Sequence, residues 1–448
     1  MELKFRCSKC GRTYAEPVTL CKHCRGLVEC VLDKFTWTVN VKERSLWRYQ
    51  GLLPEFKVRI SLGEGFTPLI KSRIEGVYFK DESRNPTGSF RDRAATLIVS
   101  HAVSIGTTKL GCATDGNHGA SIAAYCAKSS LKCYAITPSV TDIGKKVQME
   151  AYGCEIEEYG VTLDEALDRA ISIASRKGYY QASAELNTLS IEGLKTISYE
   201  IFEQYGGVPS WVIVPVGSGI TIYSIYKGFL ELKNLNLIDD LPRLLAVQSK
   251  NCAPIASKII NVKSRGEDKP IMGLNVYEPI LIEYAIKAIR ESKGYACVVS
   301  YREAVNAAIE LAKKEGLFVE LAAASSYAGY KKAKSEGLIG LDEDVIVLIP
   351  SSGLKAIESY SEAPRRKQTL MLKGLDTKAA ILKLLKEVGP LHGYSIWKKL
   401  GITISPQAIY QHLDELERSG FVESKVVDRR KVYKLTSKGE VLLSLIKY

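Results

Sequence analysis

Unbroken apolar runs and one-sided helical patterns alternate through the middle of the chain. Residues 211–216 (WVIVPV) and 345–349 (VIVLI) are continuous apolar stretches of strand length, the mark of buried strands. Residues 163–176 and 198–204 instead carry apolar positions at three- and four-residue spacing, as amphipathic helices do. Strands and helices that alternate in this way predict an α/β body with a parallel sheet, which places ligand sites at the carboxyl ends of its strands.

The last 80 residues follow another rhythm. Thr377 precedes apolar positions Ile381, Leu384, Leu385 and Val388, and Gly389-Pro390 closes that run, so a helix capped by Thr377 is expected. A second helix is expected over about 395–400. Ser405-Pro406 sets a capping hydroxyl before a proline at the first turn, a start signal for a helix that runs to about 419 and stops at Gly420. Residues 421–427 and 431–435 alternate like two strands joined across Asp428-Arg429-Arg430, and Thr436 opens a final helix. Three helices, a hairpin and a helix make a winged helix-turn-helix.

Composition adds a partner. The chain has 448 residues, 46% hydrophobic and 25% charged, an ordinary globular balance for several domains. Residues 365–448 hold 17 lysines or arginines against 8 aspartates or glutamates, a surplus of nine in a chain whose formal net charge is +12. Positive charge gathered on one small domain is the footprint of phosphate binding and points to double-stranded DNA. No run of about 18 apolar residues occurs and the start (MELKFRCSKC) lacks a signal-peptide pattern, so a cytoplasmic protein without membrane contact is expected.

Eleven cysteines in such a compartment argue for metal or buried thiols over disulfides. Cys7-x-x-Cys10 and Cys21-x-x-Cys24 have the spacing of two tight knuckles that present four thiolates to zinc. Four thiolates leave no open position, so the metal is structural.

The segment 85–93 (NPTGSFRDR) is the most telling motif. It resembles the NPTGSFKDR segment of threonine synthases and related fold type II pyridoxal phosphate enzymes, whose lysine forms the Schiff base, and Arg91 stands at that lysine's place. The resemblance continues in order through residues 62–69 (LGEGFTPL), 79–82 (FKDE), 113–121 (ATDGNHGAS), 192–196 (EGLKT), 214–219 (VPVGSG) and 353–355 (GLK). It implies a two-lobed, tryptophan synthase β-like body over 36–358 behind a zinc ribbon over 1–35, as in archaeal threonine synthases. A linker over 359–368 and a winged helix over 369–448 follow. In the tail, residues 390–394 (PLHGY), Tyr410, Leu413, Gly420 and Tyr433-Lys434-Leu435-Thr436 resemble the PadR family of regulators.

The resemblance assigns roles and also shows departures. Thr114, Asp115, Asn117 and His118 fall in the loop that grips the substrate, with Asn117 at the cofactor hydroxyl. Asp115 replaces the usual serine and resembles the loop aspartate of diaminopropionate ammonia-lyase, a candidate catalytic group, although a capping role fits as well. Gly217, Ser218, Gly219 and Thr221 match the phosphate loop, but Ile220 stands where glycine is expected. Ser351 falls near the ring nitrogen, where Pro350 can donate nothing. A guanidinium has no free lone pair for an aldehyde, so pyridoxal phosphate is expected to be held non-covalently at most. Lys80 is the remaining candidate amine. On the winged helix, Ser405, Gln407, Ala408, Tyr410 and Gln411 are expected at the major groove and Arg429, Arg430 and Lys431 on the wing. The reading is a homodimeric transcriptional regulator that senses an amino acid or phosphorylated amino acid. Its alternative is a threonine synthase- or ammonia-lyase-like enzyme that handles the cofactor in an unorthodox way.

Overall fold

The computed structural model describes residues 3–32, 35–360, 370–401, 405–427 and 430–445. They divide into two compact units, Met1–Ala363 and Pro364–Tyr448. Among the described residues no helix is long and apolar enough to cross a membrane.

The first unit opens with a three-stranded antiparallel sheet in which β1 (Lys4–Cys7) lies between β2 (Thr13–Tyr14) and β3 (Val28–Val31). This sheet rests on the body through the Thr188 hydroxyl, which donates to the Val28 carbonyl at 2.6 Å, and the Leu27 N–H, which donates to the Tyr284 hydroxyl at 2.6 Å.

Two sheets build the body. The larger comprises β4 (Leu69–Lys71), β5 (Val77–Asp81), β10 (Trp211–Pro215), β11 (Arg243–Ser249), β12 (Tyr295–Val299) and β13 (Val345–Ile349) in the order β12-β11-β10-β13-β5-β4. All its pairings are parallel except β4 with β5. The smaller is wholly parallel, β8-β7-β6-β9, from β6 (Lys109–Ala113), β7 (Lys132–Thr137), β8 (Glu155–Glu158) and β9 (Tyr180–Gln181). Every residue of β10 and β13 is buried, which is why those strands read as continuous apolar runs. The helix Leu163–Lys177 starts at a capping box between Thr162 and Glu165 and stops at Gly178 in the left-handed region.

The second unit is a winged helix around a core that includes Ile381, Leu385, Ile396, Ile409, Leu413 and Tyr433. Two expectations are corrected here. The first helix spans Leu370–Val388, so Thr377 is a buried interior residue and not its cap, because the backbone is already helical before it. The second spans Gly393–Leu400, and before it β14 (Leu391–His392) pairs with β16 (Arg430–Leu435), adding a third strand to the hairpin with β15 (Val422–Val427). A two-residue strand carries no alternation that a pattern can reveal.

Candidate functional site

One cavity lies between the two body sheets, at the ends where the strands β6, β10 and β13 deliver their following loops. Arg91, Asp115, Asn117, Glu185, Gly217, Ser218, Thr221, Glu320 and Ser351 are among its lining residues.

The segment before the helix Asp92–Ser104 is pinned to the loop after β13. Phe90 N donates to the Pro350 carbonyl at 2.9 Å, and Ser89 bridges Ser351. Asp92 accepts from Thr87 N and Thr87 Oγ1, both at 2.7 Å, and burial pushes its carboxyl up to about 6. Arg91 immediately precedes this helix, where the helix dipole disfavours a cation. Its compensation is Glu185, whose Oε1 lies 3.7 Å from Arg91 Nη2 with the side chains 4% and 12% exposed. Arg91 also covers the Phe90 ring at 4.9 Å, and its Nη1 is buried without a hydrogen-bond partner. Burial raises the Glu185 pKa while Arg91 opposes the rise, and the Ser218 hydroxyl donates to Oε1 at 3.1 Å.

The loop after β6 divides its side chains. Thr114 Oγ1 accepts from Gly116 N at 2.9 Å and Gly119 N at 2.8 Å, so it braces the turn and does not line the cavity. Gly116 is required there, with φ 118° and a Cβ that would meet Lys145 Cδ at 2.4 Å. His118 is buried behind the loop with Nε2 2.7 Å from the Ala182 carbonyl; burial first, then Arg91, hold its imidazole down to about 3 and therefore neutral. Asp115 and Asn117 face the cavity. Asn117 Nδ2 donates to both Glu320 oxygens at 3.2 and 3.1 Å, and its Oδ1 is buried without a partner. Lys145 Nζ lies 3.6 Å from Glu320 Oε1 and 2.8 Å from Asp142 Oδ2.

The loop after β10 leads into the helix Ile220–Asn234. Gly217 permits close approach, since a Cβ there would meet the Gly273 carbonyl at 2.8 Å. Gly219 has φ 87° at the helix start and is not itself a lining residue. Ile220 turns into the hydrophobic core, 1% exposed, and so does not obstruct the loop. Ser351 lines the far wall and is buried.

Lys80 belongs to a different cluster. Its ammonium contacts Glu200 Oε2 at 2.7 Å, the Thr67 carbonyl at 2.6 Å and Gln204 Oε1 at 2.9 Å, and Arg93 bridges Glu82 and Glu200 beside it. Two more buried amines lie near the cavity: Lys145, held by Asp142 and Glu320, and Lys355, which holds the Thr87 carbonyl at 2.8 Å and Gln148 Oε1 at 2.6 Å, with burial lowering it to about 8. Glu185 and Glu320 escaped the sequence reading. Their one signal is a glutamate set among small or apolar neighbours (ASAEL, FVELAA).

In the amino-terminal sheet the sulfurs of Cys7, Cys10, Cys21 and Cys24 all lie within 4.8 Å of one another, a cluster of the size a zinc ion needs. The Tyr14 hydroxyl donates to Cys21 Sγ at 3.1 Å, a contact that favours the thiolate.

In the second unit the helix Pro406–Arg418 begins where Ser405 Oγ accepts from Ala408 N at 3.3 Å. Ile409, Leu413 and Leu416 are buried, which leaves Gln407, Tyr410 and Gln411 exposed and Ala408 half-buried. Tyr410 also packs on Gly393, where a Cβ would meet its Cε1 at 2.4 Å. Arg430 is exposed on the wing. Lys431 is exposed too but is held by Glu417 at 2.7 Å. Arg429 lies outside the described residues.

Residues 60–351 match the family model described as pyridoxal-phosphate dependent enzyme, and residues 381–444 match the transcriptional regulator PadR-like family. The threonine synthase of Methanocaldococcus jannaschii is 38% identical over 377 residues, covering 78% of this chain and 92% of that one. That of Methanosarcina acetivorans is 32% identical over 372 residues with the same coverage. Among solved structures, O-ureido-L-serine synthase superposes with a TM-score of 0.57 at 19% identity, covering 69% of this chain and 96% of that one. A pyridoxal 5'-phosphate-dependent aspartate racemase gives 0.55 at 20% identity, covering 70% and 99%. Identities this low establish the shared fold alone.

The matches imply pyridoxal phosphate as the family's cofactor. An internal Schiff base needs an amine at the cavity wall, and among the lining residues the cationic side chain is Arg91, with no lysine. The loop over 217–221 keeps its glycines and helix start, and its Ser218 hydroxyl donates to the buried Glu185.

Proposed function

The chain belongs to the pyridoxal-phosphate dependent enzyme family, with threonine synthases among its relatives and a PadR-like domain at its carboxyl end, and on that premise we propose that it is a ligand-sensing, DNA-binding transcriptional regulator. The observation that carries the reading is Arg91, paired with Glu185 in the cavity at the place the resemblance gives to the Schiff-base lysine. A guanidinium stays protonated and cannot attack an aldehyde, so the body keeps its two lobes without the group that begins the family's chemistry. The buried amines nearby, Lys80, Lys145 and Lys355, are each occupied by carbonyl, carboxylate or amide acceptors, which argues against a substitute.

A small molecule bound in the cavity favours one arrangement of the lobes, and the winged helices read that state out as a change in DNA affinity. Gln407, Tyr410 and Gln411 address base edges, while Ser405 and Ala408 sit on the first turn beside the backbone. Arg430 on the wing contacts phosphate, as does Arg429. The protein acts in the cytoplasm as a homodimer, because half-sites are read in pairs, with zinc in the amino-terminal cluster as a structural ion.

Binding of the full-length protein to its own upstream DNA, measured by fluorescence anisotropy at moderate salt, tests this reading. Preference over random DNA is expected, reduced on the order of tenfold by a Gln407→Ala/Gln411→Ala variant. A protein that shows no such preference, yet retains pyridoxal phosphate fixed to the chain by borohydride, overturns the proposal and restores an enzyme.

A further inference from the structure

The cavity leaves three polar groups with their bonding capacity unspent. Arg91 Nη1 is a buried donor without a partner. Asn117 Oδ1 is a buried acceptor without one, because the amide nitrogen of that side chain is committed to Glu320. Asp115 lines the same wall; among the described residues its carboxylate has no hydrogen bond, and its electrostatic neighbours are Lys145 and Glu185. One donor for an anion therefore faces two acceptors for N–H groups, and an orphaned buried polar atom costs free energy until a ligand satisfies it.

The charges have the same asymmetry. The wall carries one cation, Arg91, against Asp115, Glu185 and Glu320. Lys145 stands behind it between Asp142 at 2.8 Å and Glu320 at 3.6 Å, and Arg91 faces Glu185 at 3.7 Å. Asp92 and Lys355 lie one layer further out and oppose each other, and His118 is neutral. Counted with Asp142, the carboxylates outnumber Arg91 and Lys145 by two, and Asp115 is the one without an ion-pair contact among the described residues. A simple zwitterion adds no net charge and leaves that excess in place. A phosphate ester brings further negative charge against Glu185, which already occupies the Ser218 hydroxyl at 3.1 Å. A ligand with one carboxylate and two ammonium groups brings net positive charge against that excess.

We infer that the cavity takes an amino acid bearing a second ammonium group, its carboxylate on Arg91, its α-ammonium against Glu185 and its second ammonium against Asp115, and that it rejects phosphorylated amino acids. This assignment rests on the reading of the body as a ligand sensor. It narrows the effector from any amino acid, phosphorylated or not, to a cationic one, and it gives Arg91 and Glu185 recognition duties.

The test is calorimetric titration of the full-length protein, without DNA, by three ligands that differ at one terminus: L-homoserine, O-phospho-L-homoserine and L-2,4-diaminobutyrate. The diamino acid is expected to bind about tenfold more tightly than L-homoserine, with no saturable binding of the phosphate ester. In the isosteric Asp115→Asn variant the diamino acid is expected to lose that advantage while L-homoserine changes little. Wild-type protein that binds the phosphate ester as tightly as the diamino acid, or that binds none of the three, overturns the assignment; the ranking on wild type decides this even where the variant fails to fold. Protein that fails here but still prefers its own upstream DNA remains a regulator with another ligand. Protein that passes here but ignores that DNA keeps its ligand and loses the regulator reading.

Discussion

His118 shows how one residue's meaning changes with burial. Its place in the TDGNHG loop suggests contact with a ligand, yet the side chain lies behind the loop against the Ala182 carbonyl, held neutral by burial and by Arg91. An unfolded chain takes up a proton near the ordinary value of 6.5, whereas folded His118 resists it until about pH 3. Stability should therefore fall as pH drops from 6.5 toward 3, by about 1.4 kcal/mol per pH unit for one proton. His101, lowered to about 4 by burial, adds to this loss, while Asp92, raised to about 6, works the other way between pH 6 and 3.8. In urea denaturation followed across this range, His118→Gln keeps a donor for the carbonyl and should flatten the pH dependence. An unchanged slope would show that His118 is not the group that titrates. Arg91 was legible at this scale because a motif fixed its neighbours. Glu185, 94 positions away, was not, since no local pattern links a loop glutamate to a distant guanidinium.

At the scale of elements, cap and turn chemistry carried the most information. Ser405-Pro406 starts its helix where expected because the hydroxyl and the proline act on the same turn. Thr377 misled, since a threonine before an apolar run resembles a cap even when the helix has already begun. The strand Leu391–His392 was invisible because two residues gain their structure only from pairing with β16. The paired CxxC knuckles are the clearest local device, and their four sulfurs converge as the spacing implies. Purified protein should carry about one zinc per chain, released by chelation and lost in Cys21→Ser. Elemental analysis that finds no metal in freshly purified, reduced protein would leave the cluster as plain thiols.

Across the whole molecule, charge separates the two units. Most of the surplus positive charge falls within residues 365–448, so DNA binding should weaken steeply with salt. Arg430→Ala should reduce the slope of log K against log salt by about 0.9 for each lost phosphate contact. Lys431→Ala should change it less, because Glu417 already holds that ammonium at 2.7 Å. Equal effects would place both side chains on phosphate. The sequence alone determined the α/β body, the paired cysteine knuckles, the winged helix and the place of Arg91 within its motif, because each depends on periodicity, turn chemistry or a motif within a few residues. Tertiary structure decided which motif residues share the cavity. It turned Thr114, His118 and Ile220 inward and brought Glu185 and Glu320 beside Arg91 and Asn117. Those contacts join loops far apart in the chain, and only the packing of the two sheets against each other sets their distances.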